Sequence, residues 1–400
     1  MKKVVITLSI IFILIFGVVV AKNFNKVDND EKLTTNQKVD KLLSGMTLDE
    51  KIGQMLVIYY TSTSYDKTLQ SAIRDVKPGG FILFKENITG HEQLTNYING
   101  MQEDSEIPMF ISIDQEGGLV QRLKTLNDVN ITIIPPMEKL GQTSDENLAY
   151  EVGTVIGNEL NAFGINMDFA PVIDINSNPN NTVIGDRSFG NSAELVSRMG
   201  IAVAKGLTSS GVIPVYKHFP GHGDTNEDSH YDLPVLTKTK EELYDLELKP
   251  FIEAINNDAK VIMIGHLAVP KITGDNTPAS LSSKIIKDLL IEELGFKGLV
   301  VTDALNMGAL TSNYSTEEIL INTINAGVDM LLMPGSSKTS LTTIKKAIED
   351  GKITEQQINN SVRKILTLKY ESGLFEKNTK LDKQVLGSAE HQSIIDKIRE

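Results

Sequence analysis

No cysteine and no tryptophan occur among the 400 residues. Without cysteine there is no disulfide, no thiolate zinc site, no cysteine nucleophile and no lipid-modified N-terminal cysteine. Attachment to a membrane must then be by peptide alone. Positive charge is also scarce, with 39 Lys and Arg against 52 Asp and Glu and a net charge of -13. A polyanion needs a basic face, so nucleic acid is excluded as a partner. No glycine-rich phosphate fingerprint follows the first apolar run, which leaves a nucleotide-binding reading without support.

Long hydrophobic runs are limited to one. Lys2-Lys3 opens the chain, Val4 to Ala21 is apolar and uncharged, and Val19 and Ala21 form a small-residue cleavage pattern. Residues 1–22 therefore read as a signal peptide or membrane anchor, and either places the rest outside the cytoplasmic membrane. Residues 23–40, rich in Asn, Asp and Lys, read as a flexible tether.

What is present is a repeating alternation. Short apolar runs fall at Met55–Tyr60, Gly80–Phe84, Met109–Asp114, Asn166–Pro171, Ile213–His218, Val261–His266, Leu299–Asp303 and Met330–Met333. Each is uniformly apolar, as strands covered on both faces are. Helical patterns lie between them, including Glu92–Gln102, Asp145–Phe163, Ala193–Ser209, Lys240–Asn256, Ser283–Leu294 and Thr316–Ala326. Eight such units over residues 41–376 predict an α/β fold of the (β/α)8 TIM-barrel type as one catalytic domain; an open doubly wound sheet is the alternative. Residues 377–400 read as a linker-like helix.

Polar residues mark one end of that barrel. Asp114, Lys217-His218, His266 and Asp303 all close their strands, on the face where barrel enzymes build active sites. Lys217 to His230 holds three of the six histidines, with acids and glycines between them. Titratable groups crowded on a turn set each other's pKa, which is how an acid/base site is made. Asp303, ending an apolar strand, suits a carboxylate nucleophile. Asp228, two residues from His230, would orient that imidazole and raise its pKa. His218, His222 and Asp224 leave a zinc-dependent hydrolase open as a rival, although Phe219-Pro220-Gly221 breaks any shared helix face.

The run KHFPGHGDTNEDSH resembles the signature of bacterial family 3 glycoside hydrolases, in their β-N-acetylhexosaminidase branch. Ile113–Gly118 with Val120-Gln121-Arg122, Asp186–Gly190 and Val301–Met307 match further motifs of the family in order, so that the likeness covers roughly residues 40 to 375. The resemblance implies Asp303 as nucleophile and His230, paired with Asp228, as general acid/base. It implies Asp114, Arg122, Arg187, Lys217 and His218 as sugar-binding positions, and no metal or other cofactor. Glu116 reads as a brace for the glycine turn. The expected activity is retaining removal of terminal β-linked GlcNAc from cell-wall fragments, by a monomer that meets the membrane only through its first residues. A phosphorylase or β-glucosidase of the same family, and a non-catalytic sugar-binding barrel, remain as alternatives.

Overall fold

The computed structural model describes residues 33–225, 233–376 and 382–398. The chain divides into a leading unit up to Met46 and a main unit from Thr47. In the leading unit Thr35–Gly45 is helical, so the tether expected through residue 40 ends sooner. The cause is a capping box: Gln37 N donates to Thr34 Oγ1 at 3.3 Å, and Thr34 N donates to Gln37 Oε1 at 2.9 Å. The apolar stretch 4–21 lies outside the described residues.

The main unit is a parallel barrel. Its strands are β1 (Leu56–Ile58), β2 (Gly80–Leu83), β3 (Phe110–Ile113), β4 (Met167–Asp168), β5 (Ile213–Pro214 and Tyr216–Phe219), β6 (Val261–Ile264), β7 (Leu299–Thr302) and β8 (Leu331–Leu332). Each predicted apolar run coincides with one of them, β5 extending one residue past its run to Phe219. Neighbours pair in parallel around the ring, from Val57 opposite Gly80 through Tyr216 opposite Ile262 to Leu299 opposite Val261. The circle closes where Leu56 pairs with Leu331 and where the bridge between Val301 and Met330 joins β7 to β8. In β5 the pairing with β4 runs through Ile213 N to Asn166 O at 2.9 Å and Val215 N to Asp168 O at 3.0 Å, while Pro214 between them has no N–H to give.

Helices cover the outside, and two departures from the expected pattern have simple causes. Lys240–Asn256 forms two helices, Lys240–Asp245 and Lys249–Asn256, because Pro250 starts a new helix rather than continuing one. The closing segment is docked rather than linker-like. Its helix, Ala389–Asp396, lies against Glu146–Asn161, with Lys397 Nζ 2.7 Å from Glu151 and His391 against Glu159. At the N-terminal end of the barrel Lys369 is fully buried. Its Nζ donates to Gln54 Oε1 at 2.7 Å and lies 5.1 Å from the centre of the Phe110 ring. Burial pushes this ammonium well below its ordinary pKa.

Candidate active site

The C-terminal ends of the strands carry the chemistry. Asp303 follows β7 and is partly exposed. Its backbone N donates to Ile264 O at 2.9 Å, and its Oδ1 accepts from Ala304 N at 2.7 Å. Burial alone would raise this carboxyl. The His218 and His266 imidazoles, the Ala304 N–H and the Lys217 ammonium outweigh burial and hold it below the ordinary aspartate value. Asp303 is therefore ionised at neutral pH, the state a nucleophile needs.

Beside it the expected sugar-binding residues gather through ion pairs. Lys217 Nζ lies 2.8 Å from Asp114 Oδ1 and 2.7 Å from Glu116 Oε1. Arg187 meets Glu116 with two parallel bonds of 2.8 Å, from Nε to Oε2 and from Nη2 to Oε1. This is the bidentate geometry that planar guanidinium favours. Arg122 Nη2 reaches Asp114 Oδ2 at 3.3 Å, and its guanidinium lies 5.4 Å from the centre of the Phe84 ring. Asp114, Arg122, Arg187 and Lys217 thus form one continuous charge network. Glu116 is its hub.

One sequence-based reading of this network is corrected. Glu116 does not brace the glycine turn; its carboxylate is 3% exposed and bound by two cations. Burial would raise its pKa, but Arg187 and Lys217 hold it well below the usual carboxylate range. Arg187 is one of the two cations. The signal was Glu116's place three residues past the end of β3, within the hairpin formed by Gln115–Gly117 and Val120–Gln121.

His218 is fixed by a residue the sequence reading passed over. Asp174 is buried and takes the His218 ring Nδ1 at 2.7 Å, the His218 N–H at 3.1 Å and the His222 N–H at 2.7 Å. Burial works against the Asp174 anion, yet the two histidines and these donors keep its pKa below the ordinary value. His222 Nδ1 shares a 2.8 Å bond with Thr225 Oγ1, and burial lowers the pKa of this imidazole. His266 bonds Ser280 through Nδ1 at 2.8 Å and the Ala304 carbonyl through Nε2 at 3.0 Å. The second bond requires an N–H at Nε2, and burial keeps the ring neutral.

Close packing seats the start of the histidine loop. A Cβ on Gly223 would fall 1.7 Å from the Ile175 carbonyl oxygen, so only glycine passes there. Asp224 pairs with Lys238 at 2.9 Å. Asp228 and His230 lie outside the described residues. Among the described residues, no group of three or more His, Cys, Asp or Glu side chains is arranged to hold a metal ion.

Comparison with known proteins agrees with this geometry. The N-terminal domain model of glycosyl hydrolase family 3 matches residues 47–368. Beta-hexosaminidase A of Pseudoalteromonas piscicida is 32% identical over 390 residues, covering 87% of this chain and 65% of the relative. The chain thus spans about two thirds of that relative's length. Beta-hexosaminidase of Nitrosomonas eutropha is 33% identical over 299 residues, covering 72% of this chain and 84% of the relative. A solved family 3 β-N-acetylglucosaminidase from Paenibacillus sp. str. FPU-7 superposes with a TM-score of 0.84 at 38% identity, covering 88% of this chain and 68% of that one. A barrel with an ionised aspartate after its seventh strand, matched over residues 47–368 by the family model, belongs to glycosyl hydrolase family 3.

Proposed function

We propose that the protein is a retaining exo-β-N-acetylglucosaminidase that releases terminal GlcNAc from cell-wall fragments outside the cytoplasmic membrane. The observation that carries this reading is the ionised Asp303 beside the Asp114–Lys217–Glu116–Arg187 network. The network offers charged donors and acceptors to vicinal hydroxyls and so fixes a sugar ring. Asp303 attacks C1 of the ring, and the bond from C1 to the leaving oxygen breaks. His230, held by Asp228, gives that oxygen its proton. A covalent glycosyl-enzyme forms. His230 then takes a proton from water, which attacks C1 and frees Asp303 with the β configuration retained. The relatives named for hexosaminidase and N-acetylglucosaminidase activity support the choice of sugar.

The test is turnover of a chromogenic β-GlcNAc glycoside by residues 30–400, with EDTA present, beside Asp303→Ala and His230→Ala. Turnover in EDTA that is lost in the first variant and sharply reduced in the second supports the metal-free two-step route. Activity that returns only with added zinc sinks it. Phosphate is varied in the same assay, because a solved β-glucoside phosphorylase also superposes, with a TM-score of 0.83 at 25% identity. A sugar 1-phosphate as the main product would reassign the second step to phosphate.

A further inference from the structure

The closing segment of the chain is seated on one buried acid. Glu159, on the helix Glu146–Asn161, is 3% exposed. Its carboxylate collects donors from two separate stretches. Thr132 gives its N–H, at 3.2 Å to each oxygen, and its hydroxyl at 2.6 Å. Gly387 gives its N–H at 3.0 Å, and the His391 ring approaches with Nδ1 at 3.1 Å. Gly387 has φ +54°, and a Cβ there would lie 2.6 Å from Asn130 Cβ. The C-terminal segment is therefore seated directly on the stretch 130–132.

That stretch supports the hairpin behind the site. Two residues beyond Thr132, Ile134 N donates to Gln121 Oε1 at 3.0 Å, and Ile134 O accepts from Gly118 N at 3.0 Å. Gln121 and Gly118 belong to the hairpin that carries Glu116, which holds Lys217 and Arg187. We propose that Glu159 is a positioning residue: it latches the C-terminal segment to the stretch 130–134 and thereby fixes the hairpin and the sugar-binding pairs of Glu116. A buried anion costs desolvation, and several converging donors offset that cost only in one geometry. The latch is rigid for that reason. Its consequence for substrate, though not its existence, rests on the proposed function.

Glu159→Gln in the full chain tests this, because the amide matches the carboxylate in size but sets an NH2 against converging donors. Hydrogen exchange is expected to accelerate at residues 115–122 and 130–136 while β3 and β7 keep wild-type protection. The KM for the β-GlcNAc glycoside and the inhibition constant of free GlcNAc should rise roughly three- to tenfold, the scale of coupling through a packed network, with kcat nearly unchanged. His391→Gln, a milder change, should move the same quantities less. With Glu116→Gln added, the effect on the inhibition constant should fall short of the sum of the two. Unchanged exchange in the hairpin, or a uniform rise with unchanged KM and inhibition constant, would overturn the latch. If the wild type neither cleaves nor binds GlcNAc, the functional reading fails, and the exchange pattern alone still decides for or against the latch.

Discussion

Two lysines, both buried, sit at opposite ends of the barrel and meet opposite conditions. Lys217, at the C-terminal end, touches the carboxylates of Asp114 and Glu116 and keeps its charge against the cost of burial. Lys369, at the N-terminal end, has the Gln54 amide and an aromatic face but no anion among the described residues, and burial pushes its pKa well below the ordinary lysine value. One end spends free energy to hold charges fixed, dry and mutually oriented. The other holds a titratable group whose charged form burial disfavours. The difference separates the functional end of the barrel from the end that serves stability, in keeping with the division of labour in this architecture.

The sharpest test of the functional end is Asp303→Asn. It keeps the shape and removes the proposed nucleophile, and kcat on the β-GlcNAc glycoside should fall by at least roughly a thousandfold. Next is Lys217→Met, which strands two carboxylates. Urea unfolding should show a loss of about 3–5 kcal/mol, because breaking a buried ion pair leaves an uncompensated charge.

Lys369→Met should do the reverse. Since the folded-state pKa of Lys369 lies below its unfolded value of 10.5, the unfolded chain binds the extra proton between the two. Wild-type stability attributable to this group therefore rises with pH through that window, by at most about 1.4 kcal/mol per pH unit. The variant should be the more stable near neutrality, and its advantage should shrink as pH climbs toward 10 in parallel melts. An advantage independent of pH would erase the contrast between the two lysines.

The smallest effect on stability is expected at the open side of the site. Arg122→Ala should move Tm by less than about 2 °C, since partly exposed pairs contribute about 0–1 kcal/mol. It should nonetheless raise KM severalfold. A large loss of stability there would mean that Arg122 supports the fold and not the sugar.

Much of this was legible in the chain. The eight apolar runs reveal strands because both faces of each are covered, and the polar residues that end them mark one rim. Asp114, Arg122, Arg187 and Lys217 meet in one charge network, and His218 bonds Asp174. The partners that fix them were harder to read. Glu116 and Arg187 are 71 residues apart, and Asp174 reaches His218 across 44, so neither pairing leaves a local pattern. Lys369 belongs to a charged helix, where a lysine reads as solvated; its burial is decided by what packs over Phe110 and Gln54. Pro250 alone announced the break in Lys240–Asn256, and the helical period of the flanking residues masked it.

The seam between β7 and β8 has a practical use. Thr302 N donates to Met330 O and Leu305 N to Leu332 O, so the backbone on both sides of Asp303 is anchored to the last strand. A cut at the exposed Asn313 would leave the carboxylate on one fragment and that anchoring strand on the other. Neither fragment would hold the reactive group in place alone. Fused to two partners, such halves would make a split-enzyme reporter whose colour appears only when the partners bring the barrel wall back together.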